Sequence, residues 1–144
     1  MVGLIAGMFV LLAAQNLSGT WLNLYVTVHD TAGYDGVFPA MFDSGAGGAH
    51  AVLGLLIGVN ALLALARTWR WPDPRVRAVA GLSLVFVVIA AYAGFHFVQS
   101  AGDPAYSFAM EFGFVAVVLC QATLLYLLRD APPAPMGAAS ASAG

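Results

Sequence analysis

Residues 78–98 read AVAGLSLVFVVIAAYAGFHFV, a run of 21 residues that contains no Asp, Glu, Lys or Arg. An α-helix rises about 1.5 Å per residue, so roughly 20 apolar residues cross the ~30 Å hydrocarbon core of a bilayer. Strands of an outer-membrane barrel would alternate apolar and polar residues over about ten positions. This run does not alternate, and it therefore predicts a transmembrane helix.

Three other stretches share this character: residues 2–28, residues 105–128, and residues 51–66 with the small residues 45–49 leading into them. We therefore expect an all-α fold, a transmembrane four-helix bundle within residues 1–130, with helices at about 2–28, 44–66, 78–100 and 104–128. Asp43 or Ser44, and Asp103 before Pro104, have the residue types that begin helices. The tail at 131–144, APPAPMGAASASAG, cannot bury a core, and we expect a disordered cytoplasmic tail there.

The composition excludes several function classes. Of the 144 residues, 61% are hydrophobic and 8% are charged, whereas soluble domains have roughly 45–50% and ~25%. An ordinary soluble enzyme, a disordered chain and a nucleic-acid partner are all excluded on this ground. The single cysteine, Cys120, rules out an intrachain disulfide and a cysteine-based metal cage. The absence of lysine beside abundant Ala, Gly and Val indicates a bacterial source.

The charged residues predict the orientation in the membrane. Four arginines lie at 67–77, between the second and third spans, and Arg129 follows the fourth. The connections after the first and third spans carry aspartates and no basic residue. Short loops rich in Lys and Arg stay on the cytoplasmic side. We therefore predict a multi-pass protein of the bacterial plasma (inner) membrane with both termini in the cytoplasm.

Four polar side chains are predicted to share one layer in the outer half of the bundle. Counting from the expected helix ends at about 1.5 Å per residue, His50, His96, Glu111 and Asn23 fall at similar depths. Polar groups are costly in hydrocarbon and mark functional or packing sites. Glu111, the one acid within an apolar span, must pair, bind a cation or take up a proton. His29, beside Asp30, is expected at the membrane interface.

Two glycines follow His50 on the same face of the second helix. Gly54 and Gly58 lie four and eight residues after it. Small residues at this spacing let two helices approach closely. The alternative is a flat groove for a planar prosthetic group beneath a histidine ligand.

His50 and His96, on different helices at matched depth, suggest both axial ligands of one b-type haem. This layout resembles the four-helix units of membrane b-type cytochromes, such as the cytochrome b561 and haem A synthase families. The resemblance covers the second to fourth helices, rests on His50 and His96, and implies a haem site for redox chemistry or sensing. By their positions, Gly54 and Gly58 would border that site, and Glu111 would tune or hydrate it. Those families generally carry a second histidine pair or a second site, which this chain lacks.

Two other functions stay open. One is a divalent-metal or proton site, which would be formed by His50, His96 and Glu111 with His29 as a fourth group. Alternatively, the chain is a non-catalytic accessory or structural membrane subunit whose polar layer fixes the packing of its helices. Its partners would be the lipid bilayer and other membrane subunits or a homo-oligomer. No motif indicates an enzyme.

A second resemblance spans almost the whole chain. The segments AAQNLSGTWLNLYV (13–26), GAHAVLGLLIGVNALLAL (48–65) and AYSFAMEFGFVAVVLC (105–120) resemble a group of small bacterial integral membrane proteins of uncharacterised role. The resemblance implies the four-helix architecture and brings no activity.

Reporter fusions test the predicted orientation. A reporter that is active only in the cytoplasm should work after Arg129 and within residues 69–73, since both positions lie beside arginines. The same reporter inserted between the first two spans should be inactive. The opposite pattern would show that the charge asymmetry does not set the orientation.

Overall fold

The computed structural model describes residues 1–26 and 34–129. Within them, five helices follow one another: α1 (Val2–Tyr25), α2 (Tyr34–Asp43), α3 (Gly45–Thr68), α4 (Pro74–Gln99) and α5 (Pro104–Arg129). Four of the helices in these ranges, α1, α3, α4 and α5, are long and apolar enough to cross a membrane. The all-α bundle is thus confirmed. The tail at 131–144 lies outside the described residues.

The helix ends reflect local hydrogen bonds. Ser44 caps α3, its Oγ accepting from Gly47 N at 2.9 Å. Asp103 does the same at the start of α5, where Ala105 N donates to its carboxylate at 2.8 Å. Asp73 accepts from Arg75 N at 2.8 Å, so α4 begins at Pro74 rather than near residue 78. Both Asp-Pro pairs act alike because Asp accepts from the first free N–H groups and Pro needs no N–H there.

Two other boundaries differ from the sequence predictions. α1 ends at Tyr25, before the expected end near residue 28. The connection expected at 30–44 contains the short helix α2, which packs on α3 and α4. Phe38 of α2 lies edge-on against Phe95 of α4, with ring centroids 6.0 Å apart. Phe38 is otherwise exposed, and the residue of α2 that is fully buried against the bundle is Val37; burial of this apolar side chain favours the packing of α2.

The four long helices form a ring. α1 packs on α3, α3 on α4, α4 on α5, and α5 back on α1. Two buried clusters fill the centre, one around Leu12, Ile57, Val87 and Val117 and one around Ile5, Val76, Ala80 and Leu124. Most large apolar side chains elsewhere are exposed on the outside of the ring, as expected of a surface that faces lipid.

Gly113 permits a close approach between α4 and α5. A Cβ at this position would lie 2.9 Å from the Cβ of Ala90 and 3.1 Å from the carbonyl oxygen of Phe86. Both neighbours belong to α4 and cannot move without shifting its backbone. Any larger residue would therefore separate the two helices.

A pair of glycine substitutions tests this contact. Gly113→Ala should lower the free energy of unfolding by about 1–3 kcal/mol, because the extra methyl overpacks the contact. Gly81→Ala, on α4 with no atom within 4 Å of the new Cβ, should raise it by about 0.5–1 kcal/mol through helix propensity. Denaturant titration in detergent, followed by circular dichroism, measures both. Equal effects would contradict the close approach at Gly113.

Candidate functional site

His50 lies in the second turn of α3, and its ring faces α1. Gln15 Nε2 lies 2.9 Å from His50 Nε2, and Ser18 Oγ lies 2.8 Å from His50 Nδ1. Both ring nitrogens are therefore hydrogen-bonded to side chains of the neighbouring helix. We call these three residues the His50 network.

The direction of the hydrogen bonds follows from Ser18. Its hydroxyl donates to the backbone carbonyl of Gln15 at 3.0 Å, so its oxygen is left to accept from His50 Nδ1–H. His50 Nε2 then accepts from the Gln15 amide. The hydrogen bonds thus assign a neutral imidazole with its proton on Nδ1, since each neutral ring has one donor and one acceptor nitrogen.

Small residues bring α1 and α3 close enough for this network. A Cβ on Gly19 would lie 3.0 Å from His50 Cε1, and one on Gly54 would lie 3.5 Å from Gln15 Nε2. The contact at Gly19 is tight, whereas a Cβ on Gly54 would make an ordinary van der Waals contact with Gln15. A Cβ on Gly58 would meet no atom within 4 Å.

His96 occupies a different environment, near the end of α4. Its ring stacks on Tyr106 of α5, with centroids 5.4 Å apart and planes at 21°. Tyr92 and Phe95 also contact it, at centroid distances of 4.3 Å and 5.8 Å. Its surroundings are thus aromatic side chains of α4 and α5, whereas the partners of His50 belong to α1.

The two histidines nevertheless lie at similar depth. α3 and α4 run antiparallel, and Ile57 shares a buried cluster with Val87. His50 precedes Ile57 by seven residues on α3. The position on α4 at the same level as His50 therefore lies about seven residues after Val87, within one turn of His96. The two histidines thus lie at similar levels along the bundle, but their rings contact different helices.

This arrangement bears on the predicted haem and metal sites. A haem iron at His50 would have to break a hydrogen bond to Gln15 or Ser18, and Gln15 lies over the glycine face where the groove was expected. The residues as arranged do not fit a bis-histidine haem. Within the described ranges, no group of three or more His, Cys, Asp and Glu side chains is placed to hold a metal ion.

The remaining residues of the predicted layer do not join His50. Glu111 is exposed on α5, and Asn23 is exposed two residues before the end of α1. Because α1 ends at Tyr25, the residues level with His50 are Ser18 and Gly19 rather than Asn23. His29 lies outside the described residues.

Another interhelical hydrogen bond lies in the other half of the bundle. Gln121 Nε2 of α5 donates to Ser83 Oγ of α4 at 2.9 Å, and both side chains are buried. This hydrogen bond joins α5 to α4. Asn60 differs, since its buried Oδ1 has no hydrogen-bond partner within the described residues.

Sequence reasoning missed Gln15 and Ser18 as partners of His50. The signal was their spacing with Gly19, at i, i+3 and i+4, which places two polar side chains and a small residue on one face of α1. The nearby stripe of Asn16, Thr20 and Asn23 was the more conspicuous pattern.

A double-mutant cycle measures the His50 network. His50→Ala and Ser18→Ala should each destabilise the protein, with a coupling of about 0.6 kcal/mol and at most ~1.7 kcal/mol, the range of interhelical hydrogen bonds in membranes. His96→Ala combined with Ser18→Ala is the control and should be additive, since the two side chains share no partner. Additivity in both cycles would contradict the network.

Comparison with protein-family models, with curated proteins and with solved structures found no match to this chain. The resemblances to membrane b-type cytochromes and to small bacterial membrane proteins stay predictions.

Proposed function

We propose that this chain is a non-catalytic accessory or structural membrane subunit, located in a bacterial plasma membrane. It crosses the bilayer four times, with both termini in the cytoplasm. The observation that carries the proposal is the engagement of both His50 ring nitrogens by α1. A histidine whose nitrogens both hydrogen-bond to a neighbouring helix is suited to join helices and has no nitrogen free for a ligand.

The interhelical polar contacts support the same function. Gln121 and Ser83 join α4 to α5 as His50, Gln15 and Ser18 join α3 to α1. Polar side chains that satisfy one another across helices stabilise a membrane bundle and specify its packing. These contacts need no cofactor.

The positions of the arginines support the orientation. All five are exposed, and they lie at the end of α3, the start of α4 and the end of α5. These three helix ends lie at the same end of the bundle, because successive long helices run in opposite directions. We call the opposite end of the bundle the arginine-free end. The excess of positive charge places the arginines in the cytoplasm.

A visible absorption spectrum tests the proposal against the haem hypothesis. Protein expressed with added haem precursor and purified in detergent should show no Soret band, before or after reduction with dithionite, and elemental analysis should find no stoichiometric metal. A Soret band with sharp reduced α and β bands, at about one haem per chain and lost in His50→Ala, would overturn the proposal.

A further inference from the structure

Among the described residues, three polar side chains on α1 and one on α5 make no hydrogen bond to any other described residue. Thr20, Asn23 and Glu111 are exposed and Asn16 is half-buried. Within residues 1–26 and 34–129, none of these four side chains makes a hydrogen bond or an ion pair. Polar groups that face hydrocarbon without a partner are costly, and a carboxylate is the most costly of them.

Glu111 lies level with the middle of the α1 stripe. α1 and α5 are antiparallel, and the clusters place Leu12 with Val117 and Ile5 with Leu124. Leu12 follows Ile5 by seven residues on α1, and Leu124 follows Val117 by seven residues on α5. Both pairs therefore indicate the same register between the two helices. Glu111, six residues before Val117, is then level with Ser18, between Asn16 and Thr20.

These groups also lie on one side of the bundle. On α1, Leu12 shares a buried cluster with Val117 of α5, and the line through Leu12 continues at helical spacing to Asn16, Thr20 and Asn23. On α5, Glu111 precedes Phe114 by three residues and Val118 by seven, and both of these pack against the cluster that contains Leu12. The α1 stripe and Glu111 therefore border the same α1–α5 face.

Within the described residues no arginine lies at this depth, while His50 is hydrogen-bonded to α1 and His96 stacks on Tyr106, and neither pairs with Glu111. The arginines lie at the other end of the bundle, while Glu111 is eight residues into α5 from the arginine-free end. What the chain does offer at this depth is a set of donors, the amide of Asn16 and the hydroxyl of Thr20. A carboxylate accepts from both groups.

We infer that the α1–α5 face binds a second copy of this chain. A twofold axis along the membrane normal would place α1 of one copy against α5 of the other and would preserve the depth of every residue. Glu111 of each copy would then accept from Asn16 and Thr20 of its partner, which makes the face self-complementary, as such symmetry requires. Ala6 and Ala13, exposed on the same edge of α1, allow close approach. This inference rests on one part of the proposed function, the insertion of the chain in a membrane.

Crosslinking in membranes tests the geometry without altering the polar groups. Ala13 and Val115, both exposed and each next to the polar layer, lie nearly level in this register. The test uses two differently tagged copies, both with Cys120→Ala. One copy carries Ala13→Cys and the other carries Val115→Cys, and the two should form a mixed disulfide. The control pair uses Leu119→Cys, which is exposed on the other side of α5 and lines the groove toward α4, and it should not crosslink.

Association in vesicles of phosphatidylethanolamine and phosphatidylglycerol measures the contribution of Glu111. Glu111→Leu should raise the dissociation constant about sevenfold or more, because two symmetry-related sets of interhelical hydrogen bonds are lost at once. Thr123→Val, which removes an exposed hydroxyl from the other side of α5, should leave it unchanged. Thr20→Leu should weaken association from the α1 side.

Three results would overturn the inference: a chain that stays monomeric in vesicles, a dimer that forms the control crosslink instead, or a dimer unaffected by Glu111→Leu and Thr20→Leu. Purification with a different membrane subunit whose basic side chain crosslinks beside Glu111 would also overturn it. Alkaline carbonate extraction separates these results from failure of the proposed function, since a chain that carbonate extracts is not integral to the membrane.

Discussion

A polar group inside a bilayer has no water to bond with, so its partners must come from protein. This constraint accounts for how α1 and α3 are joined. His50 is too polar to face hydrocarbon, and it is placed where Gln15 and Ser18 supply one donor and one acceptor. Gly19 is small enough to let the ring reach them. The close packing of α1 on α3 and the satisfaction of His50 thus depend on each other.

The same constraint separates two kinds of polar residue in this chain. His50, Gln121 and Ser83 are satisfied within one copy and join neighbouring helices. Glu111 and Thr20 have no hydrogen-bond partner among residues 1–26 and 34–129, and they lie exposed on one face. Residues of the first kind stabilise the bundle. Residues of the second kind indicate where another polypeptide completes the structure, since lipid chains offer no hydrogen bonds.

The helices were predictable from sequence because their formation depends on local properties. Apolar runs long enough to cross a bilayer predict the four spans, and residues such as Ser44 and Asp103 mark where helices begin. The partners of His50 were not predictable in this way. They depend on how far α1 is rotated about its own axis, and this rotation follows from contacts with residues distant in sequence, such as Gly54 against Gln15. The depth of a residue can be counted along its own helix, whereas the neighbour that its side chain faces depends on how two helices pack.

The state of the His50 ring tests the central claim most directly. The chain has three histidines, so nitrogen NMR of histidine-labelled protein in bilayers gives few signals, and a His50→Ala sample identifies the relevant pair. The account predicts a neutral imidazole with the proton on Nδ1, and a through-space contact between the ring and Ser18 of α1. A ring nitrogen shifted by a bound metal or haem iron, or a ring without contact to Ser18, would contradict it.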